Sequence, residues 1–142
     1  MTPDIRPATI ADIPAMHELR LRVRENRLSD PGRVTEDAYR PYVAAGGAWV
    51  AEVEGWLAGF AIVDLAARSV WALFVAPEAE GRGIGRALHD HMLARAKALD
   101  IARLSLSTAP GTRAAAFYRR AGWSETGVTA QGELRFERGT RP

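Results

Sequence analysis

The chain contains no cysteine. That absence excludes disulfide scaffolds, zinc fingers and iron–sulfur sites, and it excludes an acyl-cysteine intermediate in any group transfer. No stretch approaches the roughly 18 uninterrupted apolar residues of a spanning helix, and Met1 to Arg6 is too polar for a secretory signal, so no membrane partner and a cytoplasmic location are expected. Lysine is nearly missing: Lys97 is the sole one among 19 basic residues, which 17 acidic residues balance to a net charge of +2. Arg20, Arg22, Arg24 and Arg27 are interleaved with Glu18, Glu25 and Asp30, a mixed-charge surface rather than a basic stripe, so no nucleic-acid partner is expected. Linkers, low-complexity tracts and repeats are absent, which predicts a single domain over residues 1–142. With 142 residues, 47% of them hydrophobic, the chain can bury roughly 70% of its unfolded surface without cross-links.

The order of elements follows from periodicity and punctuation. Asp4 to Pro7 predicts an opening strand, and Thr9 with Asp12 has the spacing of a capping box before a helix carrying Ile13, Met16, Leu19 and Val23 on one face. Thr35, backed by Glu36 and Asp37, opens a second short helix that stops by Gly46-Gly47. Three strand-like runs follow, Ala48 to Val53, Trp56 to Leu65 and Ser69 to Val75, with Glu54-Gly55 turning the first into the second. Ile84, Ala87, Leu88, Met92, Ala96 and Leu99 then mark a long amphipathic helix. Arg103 to Ser107 is a strand, Thr112 caps a helix to about Ala121, and two last strands lie near Trp123 to Val128 and Glu133 to Arg138. The order β-α-α-β-β-β-α-β-α-β-β is that of an α+β fold, a mixed sheet with helices on its faces. The tryptophans at 49, 56, 71 and 123 fall mostly in strand patterns and read as core.

The most informative segment joins the fourth strand to the long helix: Val75-Ala76-Pro77-Glu78-Ala79-Glu80-Gly81-Arg82-Gly83-Ile84-Gly85-Arg86. Alternate glycines let a ligand approach the backbone, the first helical turn offers unpaired N–H groups, and Arg82 and Arg86 add positive charge, a set suited to a diphosphate. A dinucleotide turn needs G-x-G-x-x-G and a later acidic residue, whereas this one reads G-x-G-x-G with Ser105 in the later region; a Walker A loop needs Gly-Lys, which is absent. The plain alternative is a strand-to-helix turn that uses only glycine's conformational freedom. His89 and His91 stand two apart on a helix, point to different sides and lack partners at ligand spacing, so they read as surface or boundary residues and no metal is expected. No G-x-S-x-G elbow supports a serine hydrolase.

Val-x-Pro-Glu-x-x-Gly-Arg-Gly-Ile-Gly-Arg-Ala-Leu, followed by a helix, a strand and Arg113-Ala114-Ala115-Ala116-Phe117-Tyr118-Arg119-Arg120-Ala121-Gly122-Trp123, closely resembles the GNAT (Gcn5-related) N-acetyltransferases over nearly the whole chain. The resemblance implies a central, mostly antiparallel sheet of about seven strands and acetyl-CoA as cosubstrate, with coenzyme A as product. It implies contacts to the pyrophosphate from the backbone of Gly81, Arg82, Gly83, Ile84, Gly85 and Arg86, and pairing of the pantetheine arm with Leu73, Phe74 and Val75. Thr108, Thr112, Arg113, Phe117 and Tyr118 complete the implied cofactor site, with Arg113 or Arg120 toward the adenosine 3′-phosphate. The fourth strand and the strand from Arg103 splay apart in this family, with which Pro77 and Pro110 are compatible.

Tyr118 is the implied general acid, because a phenol that stays protonated near neutrality can protonate a leaving thiolate. From spacing alone, a buried tyrosine with its hydroxyl tied to backbone is the alternative. Two positions depart from the family pattern. Glu80 stands where glutamine or arginine is usual and is expected to turn its side chain toward solvent or an arginine, and Gly111 replaces a common asparagine, whose contact is lost or taken over by Thr112. The fourth strand carries no carboxylate, so the base is unassigned; Glu52, Glu25, Asp30 and Glu133 are candidates, with Glu133 and Glu25 first. The implied acceptor site lies between Arg24 to Asp30 and Trp123 to Arg138, and its mixed polarity suits a zwitterionic or polar small amine. The function expected is acetyl transfer to a primary amine of a small molecule or protein. The alternative is a non-catalytic acyl-CoA-binding regulatory module, and a homodimer is compatible with exposed edges of the last strands.

Overall fold

The structure is a computed structural model that describes residues 2–23 and 34–141. Seven strands form one sheet in the order β1-β2-β3-β4-β5-β7-β6, with β1 Asp4–Pro7, β2 Ala48–Val53, β3 Trp56–Asp64, β4 Ser69–Val75, β5 Arg103–Thr108, β6 Ser124–Val128 and β7 Leu134–Gly139. Every neighbouring pair is antiparallel except β4 with β5. The helices are α1 Ile13–Val23, α2 Arg40–Ala44, α3 Ile84–Ala98 and α4 Arg113–Arg120. The α+β class and the element order expected from the sequence are those observed.

Local chemistry sets the ends of these elements. The Asp12 carboxylate accepts the Thr9 N–H at 2.7 Å and the Thr9 hydroxyl at 3.1 Å, so the chain turns into α1 and buries Ile13, Met16 and Leu19 on one stripe. Arg6 clamps the same carboxylate at 2.8 and 2.9 Å, holding its pKa down at about 2. β3 ends at Asp64 rather than Leu65 because the Asp64 carboxylate accepts the Ala67 N–H at 3.0 Å and closes the turn. At α4, the Thr112 hydroxyl accepts from the Ala115 N–H at 3.1 Å and donates to the Ala109 carbonyl at 2.8 Å.

The two faces of the sheet carry different helices. Phe60 of β3 pairs with Phe74 of β4 and lies under Tyr39, on the face covered by α1 and α2. Gly59 points the other way, where a Cβ would stand 2.8 Å from the Phe74 carbonyl and 3.0 Å from Leu88, so only glycine lets α3 come this close.

Three expectations are corrected. Leu99 is 48% exposed, because α3 ends at Ala98 and the chain leaves the helix through Asp100 at φ 63°, carrying Leu99 off the buried stripe. His89, expected at the surface or its boundary, is fully buried between α3 and the turn after α4, whereas His91 is a boundary residue, half-buried against Trp49. Trp56, expected in the core, sits at the start of β3 and is 38% exposed, while Trp49 and Trp123 are buried. Among the described residues no helix is long and apolar enough to cross a membrane, and no group of three or more side chains could hold a metal ion.

Candidate active site

Strands β4 and β5 start together and separate. Their one register pair is Ser69 with Ser105, supported by a Ser105 N–H bond to the Arg68 carbonyl at 3.0 Å. Beyond it the facing edges of both strands carry unpaired backbone groups, and a cleft of about 820 Å³ opens between them. The cleft passes through the sheet. Leu73, Val75, Phe117 and Tyr118 line it on the α3 and α4 side, and Trp71, Phe74 and Val23 line it on the α1 side. Thr108, Thr112 and Arg113 also belong to its wall, so the cleft gathers eight of the residues singled out in the sequence, together with Arg120, Glu80 and Gly111. Gly81 to Arg86 stand beyond the wall, at the N-terminus of α3.

That turn is a set of open donors. Gly81 and Gly83 have φ near 79° and 78°, and a Cβ on either would meet nothing within 4 Å, so the backbone faces free space. Among the described residues the N–H groups from Gly81 to Arg86 find no acceptor, and the positive end of the α3 dipole lies behind them. Glu80 turns to Arg113 across the cleft, with its carboxylate 3.2 Å from the guanidinium. The Thr112 hydroxyl is committed to its cap by two hydrogen bonds, which leaves it no free proton for the contact that an asparagine at Gly111 would make.

Tyr118 is 7% exposed and borders the cleft. Its hydroxyl has no hydrogen-bond partner among the described residues, and burial pushes its pKa well above the ordinary phenol value, so it holds its proton through the neutral range. The ring packs edge-on against Trp123 at 5.4 Å and Phe117 at 5.3 Å. Behind them lies a network that the sequence reading missed. Trp123 Nε1 donates to His89 Nε2 at 2.9 Å, which puts the ring's proton on Nδ1, from where it is donated to Asp90 at 2.9 Å. Arg86 Nε donates to the same Asp90 oxygen at 3.0 Å. Burial lowers the His89 pKa against the opposing pull of Asp90, so the ring is neutral. The open turn and the wall holding Tyr118 are thereby one hydrogen-bonded unit.

On the α1 side, the β3–β4 register shifts between Ile62 and Val63, which pair with Ala72 and Val70. Trp71 is the extra residue of this bulge, turned onto the same face as Phe74 and packed against Tyr39 at 5.2 Å and Tyr42 at 4.8 Å. It was read as core and instead forms cleft wall, a placement only the bulge could reveal.

The base candidates separate. Glu52 is bound to Arg6 at 3.0 Å where β1 pairs with β2, away from the cleft. Glu133 accepts from the Ser107 hydroxyl at 3.2 Å, and Ser107 lines the cleft. Glu25, Asp30 and the acceptor segment Arg24 to Asp30 lie outside the described residues.

The model describing the Acetyltransferase (GNAT) family matches residues 13–123. No curated protein matches the chain. Among solved structures, PaiA N-acetyltransferase from Thermoplasma acidophilum, in complex with coenzyme A, shares the fold with a TM-score of 0.83 at 16% identity, over 98% of this chain and 99% of that one. Ribosomal-protein-alanine N-acetyltransferase from Brucella melitensis is 25% identical with a TM-score of 0.77, over 96% of this chain and 99% of that one. A phosphinothricin acetyltransferase from Sinorhizobium meliloti, in complex with AcCoA, is also 25% identical with a TM-score of 0.77, over 98% and 89%.

Proposed function

The chain belongs to the GNAT acetyltransferase family, and from that premise we propose that it transfers the acetyl group of acetyl-CoA directly to an amine of a small molecule or protein. The observation that carries this reading is the cleft between β4 and β5, which has open backbone donors beyond one end and the proton-bearing Tyr118 in its wall. Neighbours of the same fold hold coenzyme A or acetyl-CoA, which is the cosubstrate in this reading.

Bound acetyl-CoA supplies an activated acetyl group, so that a C–N bond to the acceptor forms as the C–S bond breaks. The protein's part is positioning and proton management. The N–H groups of Gly81 to Arg86, with Arg82, hold the diphosphate, and the free edge of Leu73 to Val75 pairs with the pantetheine amides. Arg113 or Arg120 would supply the cation for the 3′-phosphate. Tyr118 gives its proton to the departing sulfur, and the proton lost by the amine leaves through water, with Glu133 beside Ser107 as the nearest described carboxylate among the base candidates.

Calorimetric titration with acetyl-CoA, followed by thiol-release assays over a panel of amines, tests the reading. Saturable binding, lost in a folded Gly83→Trp variant, together with turnover of at least one amine is the expected result. Binding without turnover of any small or protein amine supports the acyl-CoA-binding regulatory module instead, and no binding removes both.

A further inference from the structure

We propose that His89 is a positioning residue for the acetyl transfer, which sets the aim of the Tyr118 hydroxyl by holding Trp123 through its indole N–H. The proposal rests on the acetyltransferase reading above and adds to it the group that orients the proton donor.

Six side chains of α3 are buried, Ile84, Leu88, His89, Met92, Leu93 and Ala96, and His89 is the one polar residue among them. Elsewhere among the described residues Thr140 alone is both polar and buried, and its hydroxyl donates to the Ile101 carbonyl at 2.7 Å, a tie to the backbone. An apolar side chain would fill the site of His89 at a lower desolvation cost. What the imidazole adds is direction, because it bonds a side chain at each of its nitrogens. Nε2 accepts from Trp123 at 2.9 Å, and the bond from Nδ1 to Asp90 at 2.9 Å keeps the proton off Nε2.

Tyr118 borders the cleft, and its hydroxyl has no hydrogen-bond partner among the described residues, so ring packing alone orients it. Three rings do this: Phe117 and Trp123, edge-on at 5.3 and 5.4 Å, and Phe136, tilted at 6.4 Å. His89 stands behind the first two, with ring centres 5.8 Å from Phe117 and 6.1 Å from Trp123. The main chain of Trp123 is anchored, since its N–H donates to the Tyr118 carbonyl at 3.0 Å and the adjoining Ala121 carbonyl accepts from Arg138 Nε at 2.8 Å. Rotation of the indole is left to its side-chain contacts, of which the bond to Nε2 is the directional one.

Without that acceptor a buried N–H is left unsatisfied, and the indole turns to find another partner. A ring that turns beside Tyr118 carries the phenol with it, because nothing polar among the described residues holds the hydroxyl in place. Proton transfer to a leaving sulfur depends on that aim at the scale of about 1 Å. Fixing a ring behind the donor therefore acts on the rate of transfer and not on the grip on acetyl-CoA.

His89→Leu, His89→Gln and Trp123→Phe should be compared with wild type by thiol release, with the amine that the panel above shows to be turned over fastest. His89→Leu and Trp123→Phe break the same bond from its two ends, so each should lower kcat at least about 10-fold while the KM for acetyl-CoA stays within about 3-fold of wild type. His89→Gln, whose side-chain carbonyl accepts from Trp123, should recover most of the loss. In a Tyr118→Phe background, breaking the bond should cost less than about 2-fold more, because the group it positions is gone. Fluorotyrosine labelling reads the same aim without turnover: the Tyr118 signal, identified by its loss in Tyr118→Phe, should be one line in wild type and in His89→Gln, and should shift or broaden in His89→Leu. Melting curves verify that each variant folds, and Trp123→Phe carries the test if His89→Leu does not. An unchanged kcat, a loss of the same size in the Tyr118→Phe background, no recovery in His89→Gln, or kcat and KM worsening together would overturn the positioning role while leaving acetyl transfer standing. Wild-type kcat in Tyr118→Phe itself would remove the proton donor and this proposal with it. Acetyl-CoA binding with no amine turned over would remove the acetyltransferase reading and the proposal together.

Discussion

The two faces of the sheet solve different recognition problems with different materials. On the α3 and α4 face the donors are backbone N–H groups of a glycine-rich turn, placed by a helix N-terminus and tied through Arg86, Asp90, His89 and Trp123 to the wall that holds Tyr118. On the α1 and α2 face the described wall is aromatic, with the Arg20 guanidinium stacked over Trp71 and Phe74 and Arg22, paired with Glu78, at its edge. Backbone donors suit a ligand that is always the same, because they depend on conformation and tolerate side-chain change. Side chains set by a bulge and by packing suit a ligand that differs from relative to relative. On the function proposed above, the cosubstrate belongs to the first face and the acceptor to the second, and the plane of the sheet divides them.

The sharpest way to break that division is Tyr118→Phe. If chemistry belongs to the α3 and α4 face, kcat should fall about 1000-fold while acetyl-CoA affinity holds, since the ring and its packing on Trp123 remain. A kcat near wild type would move the proton donor elsewhere. Next in size is Gly83→Trp, which fills the free space before the donors and forces a side chain into φ 78°. Acetyl-CoA affinity should drop about 100-fold by calorimetry. Unchanged binding would mean that the phosphates are held by side chains, and that the two faces do not differ in kind.

The same division explains what could be read from the sequence. Strand β1, the capping box at Thr9, the glycine turn and the Thr112 cap are local, so Asp4–Pro7 and the start of α4 stand where propensity and capping rules put them. The residues gathered in the cleft from Leu73 to Tyr118 were legible because two motifs carried them. His89 was not, because only the arrival of Trp123, 34 residues later, turns a polar helix position into a buried one. Trp71 was illegible for a related reason: a single extra residue in β4 inverts which face a side chain takes, and alternation alone gives no sign of it. Leu99 failed at a helix end, where the period stops before the apolar residues do.

Gly59→Ala asks whether α3 can be moved off the sheet. The new Cβ would come within 2.8 Å of a backbone carbonyl and 3.0 Å of Leu88, so either β4 or α3 must shift. A loss of about 2 kcal/mol is expected in chemical denaturation. Because α3 carries the donor turn, acetyl-CoA affinity should fall with it, while the Trp71 and Phe74 wall on the other face keeps its packing. A stability within error of wild type would show that the close approach of α3 is not maintained in solution.

The smallest effect concerns the link inside the α3 and α4 face. His89 is buried neutral, with Nε2 accepting from Trp123 and its Nδ1 proton donated to Asp90, while Arg86 and Arg138 oppose a second positive charge. Above an ordinary histidine pKa of about 6.5 the ring is neutral both folded and unfolded, and it adds no pH dependence. Below that value the unfolded ring gains a proton that the folded ring resists, so the unfolded state binds more protons and stability declines as pH falls. One such group contributes at most about 1.4 kcal/mol per pH unit, and His91, whose pKa is lowered by burial and by Arg95, adds a slope of the same sign. His89→Gln keeps an acceptor for Trp123 and removes the titration. Denaturation between pH 7.5 and 5.5 should therefore show a shallower slope in this variant, with the remainder belonging to His91. Equal slopes would mean that His89 takes up its proton as readily in the folded protein as in the unfolded one, so that losing the Trp123 bond, which a protonated Nε2 cannot accept, costs little, and the two halves of this face would then be joined by packing rather than by a proton held in one tautomer.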